Sequence, residues 1–297
     1  MKKINNNEFI RNFVKAEELD DNFIINADSY LIDIGDQIYN WFKNYRKKLC
    51  IGINGAQGTG KSTISNFFKK YLKEKYGLSI IVVSLDDLYK TKSDREILSK
   101  KIHPLLKTRG VPGTHDIDLG YNSIYSFLND SNKELYCPRF NKNIDDRCKK
   151  DEWHNINFNT DIVILEGWCV GASPQDDEDL LNPINELEKK YDKNCIWRNF
   201  VNESLKFDYQ KLFNLCSYLI MLKPPSFESI YEWRYQQENK ISNDSAFKMN
   251  REEVINFVQY FQRLTIWMLD ELPKKSDVVV EFNKNHIIEK ICYRHEK

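Results

Sequence analysis

The sequence predicts an α/β fold of the three-layer P-loop NTPase type, with a mostly parallel sheet, helices on both faces, a lid and an acceptor-binding insertion. Three observations predict it. Short apolar runs recur along the chain, longer amphipathic stretches separate them, and the first run leads straight into GINGAQGTGKST at 52–63. Continuously apolar strands alternating with helices imply a parallel sheet buried on both faces.

The elements follow in order. Tyr30–Lys47 carries Leu31, Ile34, Ile38, Trp41 and Phe42 at helical spacing, so residues 1–47 read as a helical extension before the first strand. Leu49–Ile53 reads as a strand, Lys61–Lys75 as a helix and Ser79–Leu85 as a second strand. Later strands are expected at Asp161–Leu165, Ser217–Leu222 and Asp277–Phe282, and helices at Pro183–Tyr191, Trp197–Leu215, Ser226–Lys240 and Arg251–Leu272. Two stretches break the alternation. Residues 91–159 are mixed, with turn signals at Arg109–Gly113 and Lys142–Asp146, and 232–250 is a charged, Asn-rich insert. Long excursions from such a sheet usually serve an active site, so the first is expected to bind the acceptor and the second to act as a lid. The whole chain, 1–297, reads as a single domain.

Composition narrows the class. Of 297 residues, 41% are hydrophobic and 30% charged, a globular balance. Forty-four basic residues balance 44 acidic ones, which argues against a nucleic-acid or membrane partner. Seven scattered cysteines, none at CxxC spacing, suit reduced thiols better than a disulfide frame. No apolar run is long enough to span a bilayer, and the first residues lack a signal-peptide core, so a cytoplasmic protein is expected.

Within the 52–63 segment stands G-x-x-x-x-G-K-S, with Gly55, Gly60, Lys61 and Ser62 in place. Such a loop wraps phosphate oxygens in backbone N–H groups, which needs small residues and a helix N-terminus behind them. Gly55, Ala56, Gln57, Gly58, Thr59, Gly60, Lys61, Ser62 and Thr63 are therefore expected to hold ATP. Lys61 would reach the β- and γ-phosphates, and the Ser62 hydroxyl would serve Mg²⁺. A GTPase would also need D-x-x-G; TKSD at 91–94 matches a guanine motif by letters alone, and after the wrong strand.

IIVVSLDDLY sets Asp86 and Asp87 at the end of the second strand, the edge where ligands sit in open α/β sheets. A carboxylate there can accept an acceptor hydroxyl's proton, and Asp86 is the expected base; capping of the next helix is the competing role. Read as extended chain, the two neighbours would point opposite ways. Glu166, ending DIVILE, is expected on the metal side, with a bond to loop amides as the alternative. Arg109, His115, Asp116, Arg139 and Arg147 are expected to bind the acceptor. Their concentration of guanidinium groups suggests an anionic one, although each arginine could equally be solvated or hold only ATP phosphates, and a lone histidine such as His115 is more often structural than catalytic. Arg234 shares a helix face with Gln237 and Glu238, either as a catalytic arginine on the lid or as an ordinary ion pair.

GAQGTGKST, SLDDLY, RGVPGTHD, PRFNK, DDR, LEGW and EWRYQQE occur in this order. Together they resemble the plant-type D-glycerate 3-kinase family, which is similar to uridine kinase, pantothenate kinase and phosphoribulokinase. The resemblance runs from Cys50 to the C-terminus and is most specific in RGVPGTHD and LEGW. It implies transfer of a phosphoryl group from ATP, with Mg²⁺, to D-glycerate. Asp86 then matches the base, Glu166 the metal-side acid, Arg234 the lid arginine, and Asp116 a contact to acceptor hydroxyls. Departures cluster on the acceptor side: Asn141-Lys142 where the family usually has Asp-Lys, NIDDR for a glycine-rich stretch, and CVGA after LEGW. Another small alcohol, such as a nucleoside, a pantothenate-like molecule or a sugar acid, is the nearest alternative acceptor. A P-loop ATPase acting on a protein partner is the alternative of another class.

Overall fold

The structure is a computed structural model that describes residues 4–129, 134–157, 159–240 and 249–294. Before the first strand lie α1 (Asn6–Ala16), α2 (Asp21–Asn26) and α3 (Ile32–Tyr45), the last two joined by a π-turn at Ala27–Leu31. The helical extension is thus three helices long. Then come β1 (Leu49–Gly55), α4 (Lys61–Tyr76) and β2 (Ile80–Ser84).

Residues 91–159, expected to be largely irregular, contain α5 (Lys92–Lys101), α6 (Ile117–Leu128) and the short strands β3 (Leu135–Cys137), β4 (Phe140–Asn141), β5 (Asp146–Arg147) and β6 (His154–Ile156). Thr91 caps α5 by accepting the Asp94 N–H, a local signal in a stretch whose hydrophobic pattern is weak. The chain continues through β7 (Ile162–Gly167), α7 (Glu186–Tyr191), α8 (Ile196–Ser204), a π-turn at Leu205–Tyr209, α9 (Gln210–Phe213) and β8 (Tyr218–Lys223). It closes with α10 (Phe227–Lys240), α11 (Arg251–Glu271), β9 (Val278–Phe282) and β10 (Ile288–Tyr293). Part of the expected lid, residues 241–248, lies outside the described residues.

The main sheet runs β10-β9-β8-β1-β7-β2. Every pairing is parallel except β9 with β10, which is antiparallel. Strand alternation divides the core between two faces. Ile162 and Ile164 point into a cluster with Phe9, Ile34, Ile38 and Phe67, so the helical extension and α4 cover that face. Val163 and Leu165 point the other way, into a cluster with Ile124, Leu212, Phe261 and Met268 from α6, α9 and α11.

A buried charge cluster pins α7 and α8 to α11. Glu188 is fully buried and accepts from Arg263 Nε at 2.8 Å, Arg263 Nη2 at 2.7 Å and Arg198 Nη1 at 3.2 Å. Burial opposes ionisation of its carboxyl, but the arginine hydrogen bonds prevail and hold its pKa below the usual value. Removing one arginine would leave a buried carboxylate short of donors, at a cost of about 3–5 kcal/mol. With α8 fixed, Phe200 and Ser204 lie directly against Gly113, which sets the loop before α6 at the sheet edge.

Candidate active site

The phosphate loop joins β1, buried along its whole length, to α4. Gly60 turns the corner at φ +80°, and α4 starts at Lys61 with no side chain capping its first N–H groups. Those amides are left to an anion. Inside the loop, Thr59 Oγ1 donates to the Ala56 carbonyl at 2.9 Å. Gly58 sits at φ +84°, where a Cβ would come 2.7 Å from Trp233 Cβ. Its carbonyl is bonded to His286 Nε2 at 2.9 Å, and His286 stacks on Trp233 with ring centroids 4.0 Å apart. A helix and a hairpin turn distant in sequence therefore brace the loop, something the motif alone does not reveal.

Glu166, at the end of β7, is 3% exposed and lies beside Ser84 in the sheet register. Ser62 Oγ donates to its Oε1 at 3.0 Å, while Oε2 is buried without a partner among the described residues. Burial raises the pKa of this carboxyl, with the Lys61 charge working against the rise. A hydroxyl and a half-satisfied carboxylate beside a phosphate site form an oxygen donor set that suits hydrated Mg²⁺.

Asp86 and Asp87 do not lie in extended chain, as the sequence suggests. They occupy a 3₁₀ turn, Leu85–Leu88, capped by Ser84, whose Oγ accepts the Asp86 N–H at 3.3 Å. The turn gives the two carboxylates different surroundings. Asp87 accepts from the Phe140 N–H at 3.1 Å and meets His154 Nε2 at 3.1 Å, so it fastens the insertion to the sheet edge. Asp86 accepts from Tyr89 OH at 2.7 Å and Lys142 Nζ at 2.6 Å. Burial penalises its charge, but Lys142 and then Lys61 outweigh that and hold the carboxyl well below the usual range. Asp86, like Glu166, feels the charge of the phosphate-loop lysine.

The expected acceptor residues arrive on a loop tied to this turn. Tyr89 and His115 form a β-bridge, and the Lys90 N–H donates to the Thr114 carbonyl at 2.9 Å. Trp168, from LEGW, donates through Nε1 to the Gly110 carbonyl at 2.8 Å, which explains why that motif and RGVPGTHD occur together. Asp116 Oδ2 accepts from Arg147 Nη2 at 3.0 Å, and the same nitrogen donates to the Tyr89 carbonyl at 3.1 Å. Arg109 is ion-paired with Asp145 and lies over the Phe140 ring. Arg95, 2% exposed, meets the same Asp145 Oδ1 at 3.0 Å and also bonds the Lys90 and Lys107 carbonyls. Arg109, Asp116 and Arg147 thus have carboxylate or guanidinium partners from the chain itself. Arg139 is exposed and makes no ion pair among the described residues.

Arg234 sits where α10 crosses the phosphate loop, its backbone nitrogen 3.5 Å from a Cβ built on Gly58. Its guanidinium is ion-paired with Glu238, 1% exposed, and lies over Phe257. Sequence reasoning missed Tyr89, Asp145, Trp233, His286 and Tyr209. An aromatic residue at helical spacing or a loop acid carries no local sign of its partner.

Comparisons with known proteins agree with this fold. The KAP family P-loop domain matches residues 33–161. An uncharacterized kinase of Schizosaccharomyces pombe, mug58, is 32% identical over 233 residues, which span 76% of this chain and 82% of the relative. The chloroplastic D-glycerate 3-kinase of Arabidopsis thaliana is 28% identical over 222 residues, 72% of this chain and 46% of that one. The structure of a D-glycerate 3-kinase from Cryptococcus neoformans aligns with a TM-score of 0.75 at 22% identity, covering 90% of this chain and 99% of the other, and so shares the fold. This chain belongs to the family of ATP-dependent P-loop kinases that includes mug58 and the plant D-glycerate 3-kinase.

Proposed function

We propose that the chain phosphorylates D-glycerate to 3-phosphoglycerate, with Asp86 receiving the acceptor hydroxyl. The observation that carries this is the position of Asp86: at the end of β2, in a turn, electrostatically coupled to Lys61 of the phosphate loop and bonded to Lys142 of the insertion. Phosphoryl transfer needs positioning and charge neutralisation more than covalent chemistry, and one aimed carboxylate suffices. A carboxyl held this far toward its ionised form is a weak proton sink. Asp86 therefore mainly orients the hydroxyl, and the proton moves late, as the oxygen bonds to phosphorus.

Residues 55–63 hold the triphosphate, and Lys61 neutralises its outer phosphates. Ser62 and Glu166 would hold Mg²⁺, which supplies further charge neutralisation when bound. Arg234 reaches the transferred group after exchanging Glu238 for phosphate. Lys142, Arg147 and Arg109, each held by a carboxylate of the chain, would meet the carboxylate of a small hydroxy acid by exchanging those partners, and Asp116 offers a carboxylate to its hydroxyls. The 28% sequence identity to the plant D-glycerate 3-kinase supports the choice of acid. The reaction is expected in the cytoplasm, from a single catalytic domain.

The test is ADP release by purified protein with MgATP and a panel of acceptors: D-glycerate, L-glycerate, uridine, pantothenate and gluconate. D-glycerate should give the highest kcat/KM. No signal above the no-acceptor control would remove it, and a strong signal from uridine or pantothenate would replace it.

A further inference from the structure

The acceptor side holds a buried polar atom that nothing among the described residues pairs. His115 is 2% exposed, and its ring stacks on Tyr89, with centroids 4.5 Å apart. The Tyr89 hydroxyl in turn donates to Asp86, so the imidazole lies beside the proposed base. Its Nδ1 meets the hydroxyl of Tyr209, and its Nε2 has no partner.

Which nitrogen carries the proton follows from counting hydrogens. The Tyr209 oxygen already accepts the Gly113 N–H at 3.1 Å. Tyr209 is fully buried, and the one acceptor its own proton is seen to reach is Nδ1 of His115. The reverse arrangement, with Nδ1–H donating to Tyr209, strands the phenolic proton and the Nε2 lone pair together. The first leaves a single group unpaired, an N–H on Nε2. Burial also pushes the imidazolium pKa down to about 3, so the ring is neutral and has only one proton to place.

A buried donor with no acceptor is costly, and such groups in native proteins call for an explanation. We infer that Tyr209 fixes His115 as the Nε2–H tautomer, and that this N–H donates to an oxygen of the phosphoryl acceptor, a hydroxyl or a carboxylate. The inference rests on the proposed acceptor site at Asp86. His115 then binds substrate, and Tyr209 is a positioning residue that acts through it. Because the donor is neutral and can only donate, it favours an acceptor that brings an oxygen lone pair to that point. An analogue without that oxygen leaves the N–H stranded, which is how a polar pocket rejects near-isosteres.

The experiment uses full-length protein labelled with ¹⁵N-histidine, together with acceptor kinetics. In the ligand-free protein, His115 Nε2 should resonate as a protonated, pyrrole-type nitrogen and Nδ1 as an unprotonated one. Adding D-glycerate with a non-hydrolysable ATP analogue should shift the Nε2 signal. His115→Leu should raise the D-glycerate KM about tenfold with the ATP KM unchanged. His115→Gln, whose amide N–H can stand near Nε2, should recover part of that loss. Tyr209→Phe should collapse the tautomer preference and raise the D-glycerate KM several-fold, about half the logarithmic effect of His115→Leu. An unprotonated Nε2 overturns the inference, as does a folded His115→Leu protein with an acceptor KM within about twofold of wild type. Should His115→Leu fail to fold, the tautomer measurement and Tyr209→Phe decide. If the wild type turns over no D-glycerate, the acceptor assignment falls first and takes this inference with it. If the wild type is active and the variants are unaffected, this inference alone falls.

Discussion

The two halves of the site are built from different materials. The nucleotide half is main chain: loop carbonyls and amides, two left-handed glycines and an uncapped helix start, braced from outside by Trp233 and His286. The acceptor half is side chain: Asp86 with Lys142 and Tyr89, Asp116 with Arg147, and Asp145 with Arg109 and Arg95. Main-chain geometry depends on a few glycines at fixed spacing and is hard to vary. Side-chain pairs can be exchanged one at a time. By that contrast, departures from the resembled family's pattern are expected on the acceptor side, as read at Asn141-Lys142 and NIDDR, and not in the loop.

Three variants can break or sharpen the contrast. Asp86→Asn should have the largest effect, a fall in kcat of about 10²–10⁴-fold with ATP affinity nearly unchanged. Calorimetric ATP binding that weakens as much as kcat would place Asp86 in the nucleotide half instead. Next is Gly58→Ala, a single methyl group placed at φ +84° and 2.7 Å from Trp233 Cβ. It should weaken ATP binding about tenfold and lower the melting temperature by several degrees, with the acceptor KM little changed, since left-handed strain and overpacking each cost about 1–3 kcal/mol. A melting temperature equal to wild type would mean that the loop is not braced as described. The smallest effect belongs to Lys142→Met, a drop of a few fold in kcat at neutral pH. It carries a sign, however. The Lys142 charge lowers the Asp86 pKa, so losing it must raise that pKa and move the acid limb of the kcat profile to higher pH. An acid limb that stays in place would show that Asp86 is not the titrating group.

How much of this was legible in the sequence follows from the same contrast. Five of the six main-sheet strands were, because parallel strands buried on both faces read as plain apolar runs, as in Ile162–Gly167. The sixth, IEKICY at β10, was not; it is an antiparallel edge strand with two exposed charged residues, and such a strand looks like a loop. The helices α5 and α6 were hidden among turn formers. The phosphate loop was readable because its residues are contiguous. On the acceptor side, the residue types were readable but their pairings were not. Whether Arg109 holds a ligand or Asp145 depends on a contact 36 positions away. The different surroundings of Asp86 and Asp87 were also out of reach, since they arise from a 3₁₀ turn rather than from strand alternation.

One consequence of the crossing of α10 over the phosphate loop concerns product release. The helix that bears Arg234 has no clearance at Gly58 and is stapled to the same peptide through Trp233 and His286. An outward swing would have to part the Trp233–His286 stack, and His286 is bonded to the Gly58 peptide. If residues 55–63 hold the nucleotide as proposed, departure of ADP and withdrawal of Arg234 would be linked through that one imidazole.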